Sequence, residues 1–279
     1  MGKVAAIQMT SGHVVPDNLA VAERLLREAR EMGADIACLP ENFSFIGLKD
    51  ADKLKVAEAD GEGPIQEFLQ RTARELNLWI LGGTTVIKGD SPTRVYNASL
   101  LIDAGGERVA RYDKIHLFDV AIPGRDESYL ESTHVTPGRR VVVADTPAGR
   151  LGLSVCYDMR FPELYRPMSA AGAQWFTVPA AFTVPTGRAH WETLLRARAI
   201  ENLCYVVAPA QAGTHTSGRE TYGDTLIVDY WGQVLSRLPK GSGVVMADID
   251  REKQAETRAR FPALDNRRLG TRSPVTVAA

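Results

Sequence analysis

The sequence predicts an α/β fold built in layers, with two β-sheets packed face to face and α-helices on their outer faces. Three observations lead there. The order strand, helix, strand, helix, then several strands occurs twice, before and after a loop over 121–139 rich in Pro, Gly, Ser and Thr. A single doubly wound sheet buries so many apolar runs poorly, whereas two stacked sheets with helices outside bury every apolar face. No linker-like, low-complexity or repeated tract interrupts the 279 residues, 44% of them hydrophobic, so one domain over 1–265 with a tail over 266–279 is the simplest division.

The elements follow in order. "KVAAIQM" is a first strand, with no apolar stretch long enough for a signal peptide or a membrane span. Pro16 and Asn18 introduce a helix whose apolar positions recur every three or four residues until Gly33. "ADIACLPE" is a second strand ending at Glu41; Pro64 opens a helix through Leu76, and "LWILGGTTVI" is a third strand. "RVYNASLLID" and "ERVARYD", separated by Ala104, Gly105 and Gly106, form a hairpin that Lys114 follows directly. Beyond the loop come "VVVADT", "LGLSVC", a helix from Pro162, "QWFTVPA", a helix near 188–202, "LCYVVAPA", "DTLIVDYW", "VVMADI" and a helix from Asp250. The tail after Pro262 has no helical period and is expected to fray or to reach onto a neighbouring subunit.

Composition narrows the partners. Thirty-three basic against thirty-four acidic residues, with no long run of either sign, supply no argument for nucleic acid or an anionic membrane. A small molecule or a second copy of the chain is expected. Three widely spaced cysteines at 38, 156 and 204 make neither a disulfide framework nor a paired-cysteine metal site, which points to a reducing cytoplasm. The glycosylation-type triplets at Asn42 and Asn97 then have no meaning. "GEGPIQ" lacks the third glycine of a dinucleotide fingerprint, and the five histidines fall at no metal-ligand spacing, so no cofactor or metal is called for.

Three reactive side chains share a topographic position. Glu41, Lys114 and Cys156 each come at or just after the end of a predicted strand, and ligand sites of open α/β folds lie beyond the carboxyl ends of strands. Taken singly, each has a plain structural reading: a solvated loop acid, a surface lysine, a buried apolar thiol. Together they form a chemical set. Glu41 serves as the base a thiol nucleophile needs, and a helix start after Cys156 would favour its thiolate. Lys114 and the backbone N–H of Tyr157 would hold the oxyanion formed when sulfur attacks a carbonyl.

"LPENF", "YDKIHLFD" and "SVCYDMRFPELYR" occur in the order of the glutamate, lysine and cysteine signatures of the nitrilase (carbon–nitrogen hydrolase) superfamily, which the chain resembles from "AAIQMT" to "DNRRLG". The resemblance implies a four-layer αββα sandwich, commonly a homodimer, with Glu41 as general base, Lys114 as oxyanion stabiliser and Cys156 as nucleophile. "YLESTHVTPG" is similar to the family segment carrying an auxiliary glutamate, here Glu131. "CYDMRFPEL" and "AHWETLLRARAIENLCYVVAPAQAG" most resemble the branch acting on deaminated glutathione, with the ω-amidases of α-keto acid amides close behind. Arg188 departs from that branch, which has proline there, and adds a cation near the expected pocket.

The expected reaction is hydrolysis of a small carboxylated amide to an acid and ammonia through a Cys156 thioester. Arg160, four residues after the nucleophile, matches a substrate carboxylate bidentately or else pairs with Glu163. Phe182 and Thr186 are expected to line the pocket, His116 to brace the Lys114 turn, and Cys38 and Cys204 to be inert core thiols. The rival readings are a nitrilase or carbamoyl hydrolase, a cysteine–histidine hydrolase using His116 or His190, and a non-catalytic carboxylate-binding or scaffold protein.

Overall fold

A computed structural model describes residues 1–124, 126–268 and 275–278. Its first strand, β1 (Gly2–Gln8), buries both faces, with Val4 and Ala6 on one side and Ala5 and Ile7 on the other. A strand covered on both sides belongs in the middle of a layered structure. The chain continues through α1 (Val15–Glu31), β2 (Ile36–Cys38), α2 (Pro64–Leu76), β3 (Trp79–Leu81), β4 (Thr85–Lys88), β5 (Val95–Ile102) and β6 (Arg108–Asp113). A small hairpin, β7 (Asp119–Ala121) and β8 (Ser128–Leu130), stands where the sequence predicts only a loop.

The second half runs β9 (Val141–Thr146), β10 (Gly149–Leu153), α3 (Pro162–Ala170), β11 (Trp175–Thr177), α4 (Val184–Asn202) and β12 (Tyr205–Ala208). After it come the hairpin β13 (Ala212–Thr214) and β14 (Glu220–Tyr222), then β15 (Thr225–Val228), β16 (Val234–Leu238), β17 (Gly243–Ile249), α5 (Arg251–Arg260) and β18 (Val275–Ala278).

Among the described residues these strands make two seven-stranded sheets, ordered β17-β1-β2-β3-β5-β4 with β6 on β5, and β16-β15-β12-β11-β10-β9-β18. The β17 strand returns from the C-terminal half to pair antiparallel with β1, tying the halves together. One apolar core lies between the sheets, where Ile36, Cys38 and Leu101 meet Ala144, Leu151 and Val207, and it extends under α3 and α4. A second core packs Leu25, Leu26, Phe68 and Leu69 of α1 and α2 on the outer face of the first sheet. The layers are therefore helix, sheet, sheet, helix, the expected αββα order.

Two departures bear on the site. "LWILGGTTVI" is two strands, because the chain turns at Gly82 and Gly83. At Gly83 φ is +45°, and a Cβ would lie 2.0 Å from the Pro40 carbonyl, so only glycine lets this turn pass beneath the Glu41 loop. In the nucleophile segment α3 starts at Pro162 as expected, but β10 stops at Leu153, short of Cys156, and a 3₁₀ turn spans Cys156–Arg160. The expected tail over 266–279 lies partly outside the described residues; Val275–Ala278 pairs parallel with β9 of the same chain.

Candidate active site

The catalytic candidates arrive on four loops at one end of the sheets. Glu41 follows β2; Lys114 is the residue after β6; Glu131 follows β8; Cys156 follows β10. The Lys114 Nζ donates to Glu41 Oε1 at 2.9 Å and to Glu131 Oε2 at 2.9 Å, with only 2% of the lysine side chain exposed. Asn97 Nδ2 bridges the same two carboxylates at 3.2 and 3.3 Å. The Ala181 N–H, from the loop after β11, donates to Glu41 Oε2 at 2.9 Å, and the Phe118 N–H donates to Glu131 Oε2 at 2.8 Å. The donors around the two acids come from three segments distant in sequence, so the pattern exists only in the folded chain.

Cys156 occupies the left-handed region with φ at +49°, a conformation that costs an L-residue roughly 1–2 kcal/mol. Its N–H donates to the Pro179 carbonyl at 2.9 Å, which fixes the turn against the end of β11. Burial pushes the thiol well above the ordinary cysteine range; the neighbouring Glu41 charge adds to this, while the Lys114 charge and the Ala181 N–H oppose it. The sulfur and the Glu41 carboxylate line the same chamber, and the raised pKa favours the thiol over the thiolate at rest. The expected helix starts at Pro162, but the 3₁₀ turn Cys156–Arg160 puts its N-terminus six residues beyond the sulfur. Burial works against the Lys114 ammonium too, but the charges of Glu131 and Glu41 outweigh it and hold the group well above the usual lysine range. At Glu131 burial is likewise outweighed, by Lys114 foremost, and the carboxyl lies below its usual value.

Asp158 is the residue that sequence reasoning missed. Fully buried, its Oδ2 accepts from the Tyr112 hydroxyl at 2.7 Å and the Val155 N–H at 2.9 Å, and its Oδ1 accepts from the His116 N–H at 3.0 Å with His116 Nδ1 at 2.7 Å. It thereby clamps the Lys114 strand to the Cys156 turn. The only local signal is an acid two residues after a cysteine, and the partners that give it its role, Tyr112 and His116, lie more than forty positions upstream. Asn97 was singled out only as a glycosylation triplet; it is buried between the carboxylates.

The four acid, base and sulfur side chains line a chamber of about 70 Å³, with Phe118, Phe182 and Thr186 in its wall. At about 15 Å³ per water-sized group the chamber takes an amide and a short chain. It shares Asn42, Asp50, Lys53, Val86, Tyr129 and Arg219 with an outer groove of about 510 Å³. Phe182 and Thr186 are therefore where they were expected. Neither the Tyr157 ring nor the Arg160 side chain is in the chamber wall. The Tyr157 ring packs edge-on against Phe118 and Phe161, and the Arg160 guanidinium stands over the rings of Tyr157 and Phe182, each 5.6 Å away, with Nη2 3.2 Å from His190 Nδ1. The alternative pair with Glu163 does not form either. Arg188 is exposed and lines a separate groove beside Asp224 and Arg237. His116 stacks on Phe161 with centroids 3.8 Å apart and braces the Lys114 turn; neither it nor His190 lines the chamber. Cys38 and Cys204 are wholly buried; burial lifts both thiols, that of Cys204 to about 12.

A cysteine, a buried carboxylate and a lysine meeting across two stacked sheets define a thiol hydrolase of the αββα class. The carbon–nitrogen hydrolase family model matches residues 3–259, and the chain belongs to that family. It is 42% identical over 267 residues to the deaminated glutathione amidase of Yersinia enterocolitica, covering 95% of this chain and 93% of that one. The crystal structure of the C. elegans NitFhit protein superposes with a TM-score of 0.89 at 40% identity, over 96% of this chain and 65% of that one. An amidase from Nesterenkonia sp. AN1, solved after acrylamide had added to its active-site cysteine, matches with a TM-score of 0.76 at 26% identity over 94% and 98% of the two chains. The chain is an amidase acting on carbon–nitrogen bonds, and among its described residues no helix is long and apolar enough to cross a membrane.

Proposed function

We propose that Cys156 is the nucleophile, Glu41 the general base, Lys114 the oxyanion donor and Glu131 the auxiliary acid of an amidase whose substrate is deaminated glutathione. The convergence of all four side chains on one chamber carries this reading. The thiol starts protonated, so attack and proton transfer are coupled: Sγ bonds to the amide carbon as its proton passes to Glu41. An ammonium has three N–H donors, and two of those on Lys114 are held by Glu41 and Glu131. The third is left for the oxyanion, with the Tyr157 N–H as a second donor. Glu41 then gives its proton to the departing nitrogen, the C–N bond breaks, and a thioester remains. Water, losing a proton to Glu41, adds its oxygen to the thioester carbon; the C–S bond then breaks, Glu41 returns the proton to Sγ, and the acid leaves.

The leaving group follows from the substrate. Deaminated glutathione is a modified tripeptide with no unsubstituted amide, so the nitrogen departs as an amine and not as the ammonia first expected. Ammonia is the product only with an ω-amide such as α-ketoglutaramate. The outer groove is large enough for that amine portion. The resemblance of the whole chain supports a homodimer, and three unpaired thiols support a cytoplasmic setting. Product analysis over deaminated glutathione, α-ketoglutaramate, simple amides and nitriles tests the assignment. Deaminated glutathione should have the highest kcat/KM; faster turnover of nitriles than of amides overturns it.

A further inference from the structure

Two cations in the wall shared by chamber and groove have no role in the mechanism above. Arg219, between β13 and β14, sends Nη2 to the Ala181 carbonyl at 3.0 Å and lies over the Tyr129 ring at 5.3 Å. Its Nε is buried without a partner among the described residues. Lys53, in the 3₁₀ segment Asp50–Lys55, forms no ion pair within 4.0 Å of any described carboxylate. Asp50 faces the same wall and pairs with neither cation. The outer acids Glu127 and Glu220 are hydrogen-bonded to the Tyr129 and Thr214 hydroxyls. One guanidinium backed by a ring, one free ammonium and one opposing acid suit a single carboxylate better than a polyanion.

The position sets which carboxylate. Ala181 donates its N–H to Glu41 and its carbonyl accepts from Arg219, so the backbone of one residue separates the base from the guanidinium. A group bound there lies within a short acyl chain of the reacting carbon. We infer that Arg219, assisted by Lys53, binds the carboxylate at the far end of the substrate's acyl chain, the task the sequence suggested for Arg160. The inference rests on the amidase reading for its substrate and on the wall itself for its site.

Two measurements separate the two readings. The first compares glutaramate with its uncharged counterpart pentanamide. The kcat/KM ratio between them should fall about ten- to a hundredfold in Arg219→Gln, recover in part in Arg219→Lys, and fall by a smaller factor in Lys53→Gln. Equal loss on both amides, no loss on either, or the same ratio change in Arg160→Gln alone overturns the subsite. The second is calorimetric titration with glutarate, which needs no turnover and should show binding weakened by a similar factor in Arg219→Gln. Arg219-dependent glutarate binding without hydrolysis of any amide would keep the subsite and remove the amidase reading. Hydrolysis with Arg219-independent glutarate binding would do the reverse.

Discussion

Replacing Lys114 with Met is the most revealing single change at this site. It keeps the length of the side chain and removes its charge, leaving Glu41 and Glu131 buried side by side with Asn97 Nδ2 as their shared donor. Breaking a buried ion pair by deleting one partner costs about 3–5 kcal/mol, or roughly two to nearly four powers of ten in the unfolding constant. Against a typical total of about 5–15 kcal/mol the variant still folds, with a clearly lower urea midpoint. The pH dependence identifies the cause. In the native chain the Glu131 pKa is depressed chiefly by Lys114 against the effect of burial, so its contribution is present above the ordinary carboxylate range and lost as pH falls through the depressed value. Without Lys114, burial raises it instead. Stability is then largest in acid and declines as pH rises from about 5 to 8, where the parent is level. Urea titrations at pH 5, 6.5 and 8 measure this, alongside a loss of kcat of about a hundred- to a thousandfold. A variant as stable as the parent at pH 8, or one that gains nothing on acidification, refutes the proposed electrostatics.

Three other outcomes are expected. Asp158→Asn keeps one acceptor where four contacts converge, and should lower stability by about 2–4 kcal/mol in denaturant titration while reducing kcat more than tenfold. Cys156→Gly and Cys156→Ala should both be inactive, but the glycine variant should be the more stable by roughly 0.5–1 kcal/mol, since it alone meets φ of +49° without strain. Alkylation of Cys156 by iodoacetamide should accelerate as pH rises through and beyond 9.0, the ordinary thiol value; Glu41→Gln, by removing a charge that raises the thiol, should shift the profile to lower pH. Mass spectrometry should find Cys38 and Cys204 unmodified while the chain is folded, and a plateau for Cys156 below pH 8 contradicts the account.

The layers and the candidate set at the strand ends were legible because both are written in local patterns. Period-two and period-3.6 apolar runs locate strands and helices, and three short motifs fall at strand ends in a recognisable order. What escaped was long-range or conformational. Asp158 acts through Tyr112 and His116, whose proximity only folding creates. The left-handed φ of Cys156 has no sign in residue type. Arg160 carries the right chemistry at a plausible spacing, yet aromatic neighbours on both sides take its guanidinium out of the chamber. Arg219 lies sixty-three positions after the nucleophile in an exposed turn, and only the packing of that turn over Tyr129 brings it to the site. The paired glycines of "LGGTT" were read as part of a strand because apolar runs flank them, although their backbone freedom serves the turn.

Glu41 and Lys114 hang from one sheet and Cys156 from the other, so the proposed base, oxyanion donor and nucleophile straddle the seam between them. Catalysis therefore gauges how the two slabs sit on one another. A slide of about an ångström, too small to register as unfolding, would misalign sulfur and carboxylate and silence the enzyme. Gentle warming should extinguish turnover before circular dichroism changes, and a trimmed side chain deep in the seam, far from any substrate, should slow the reaction.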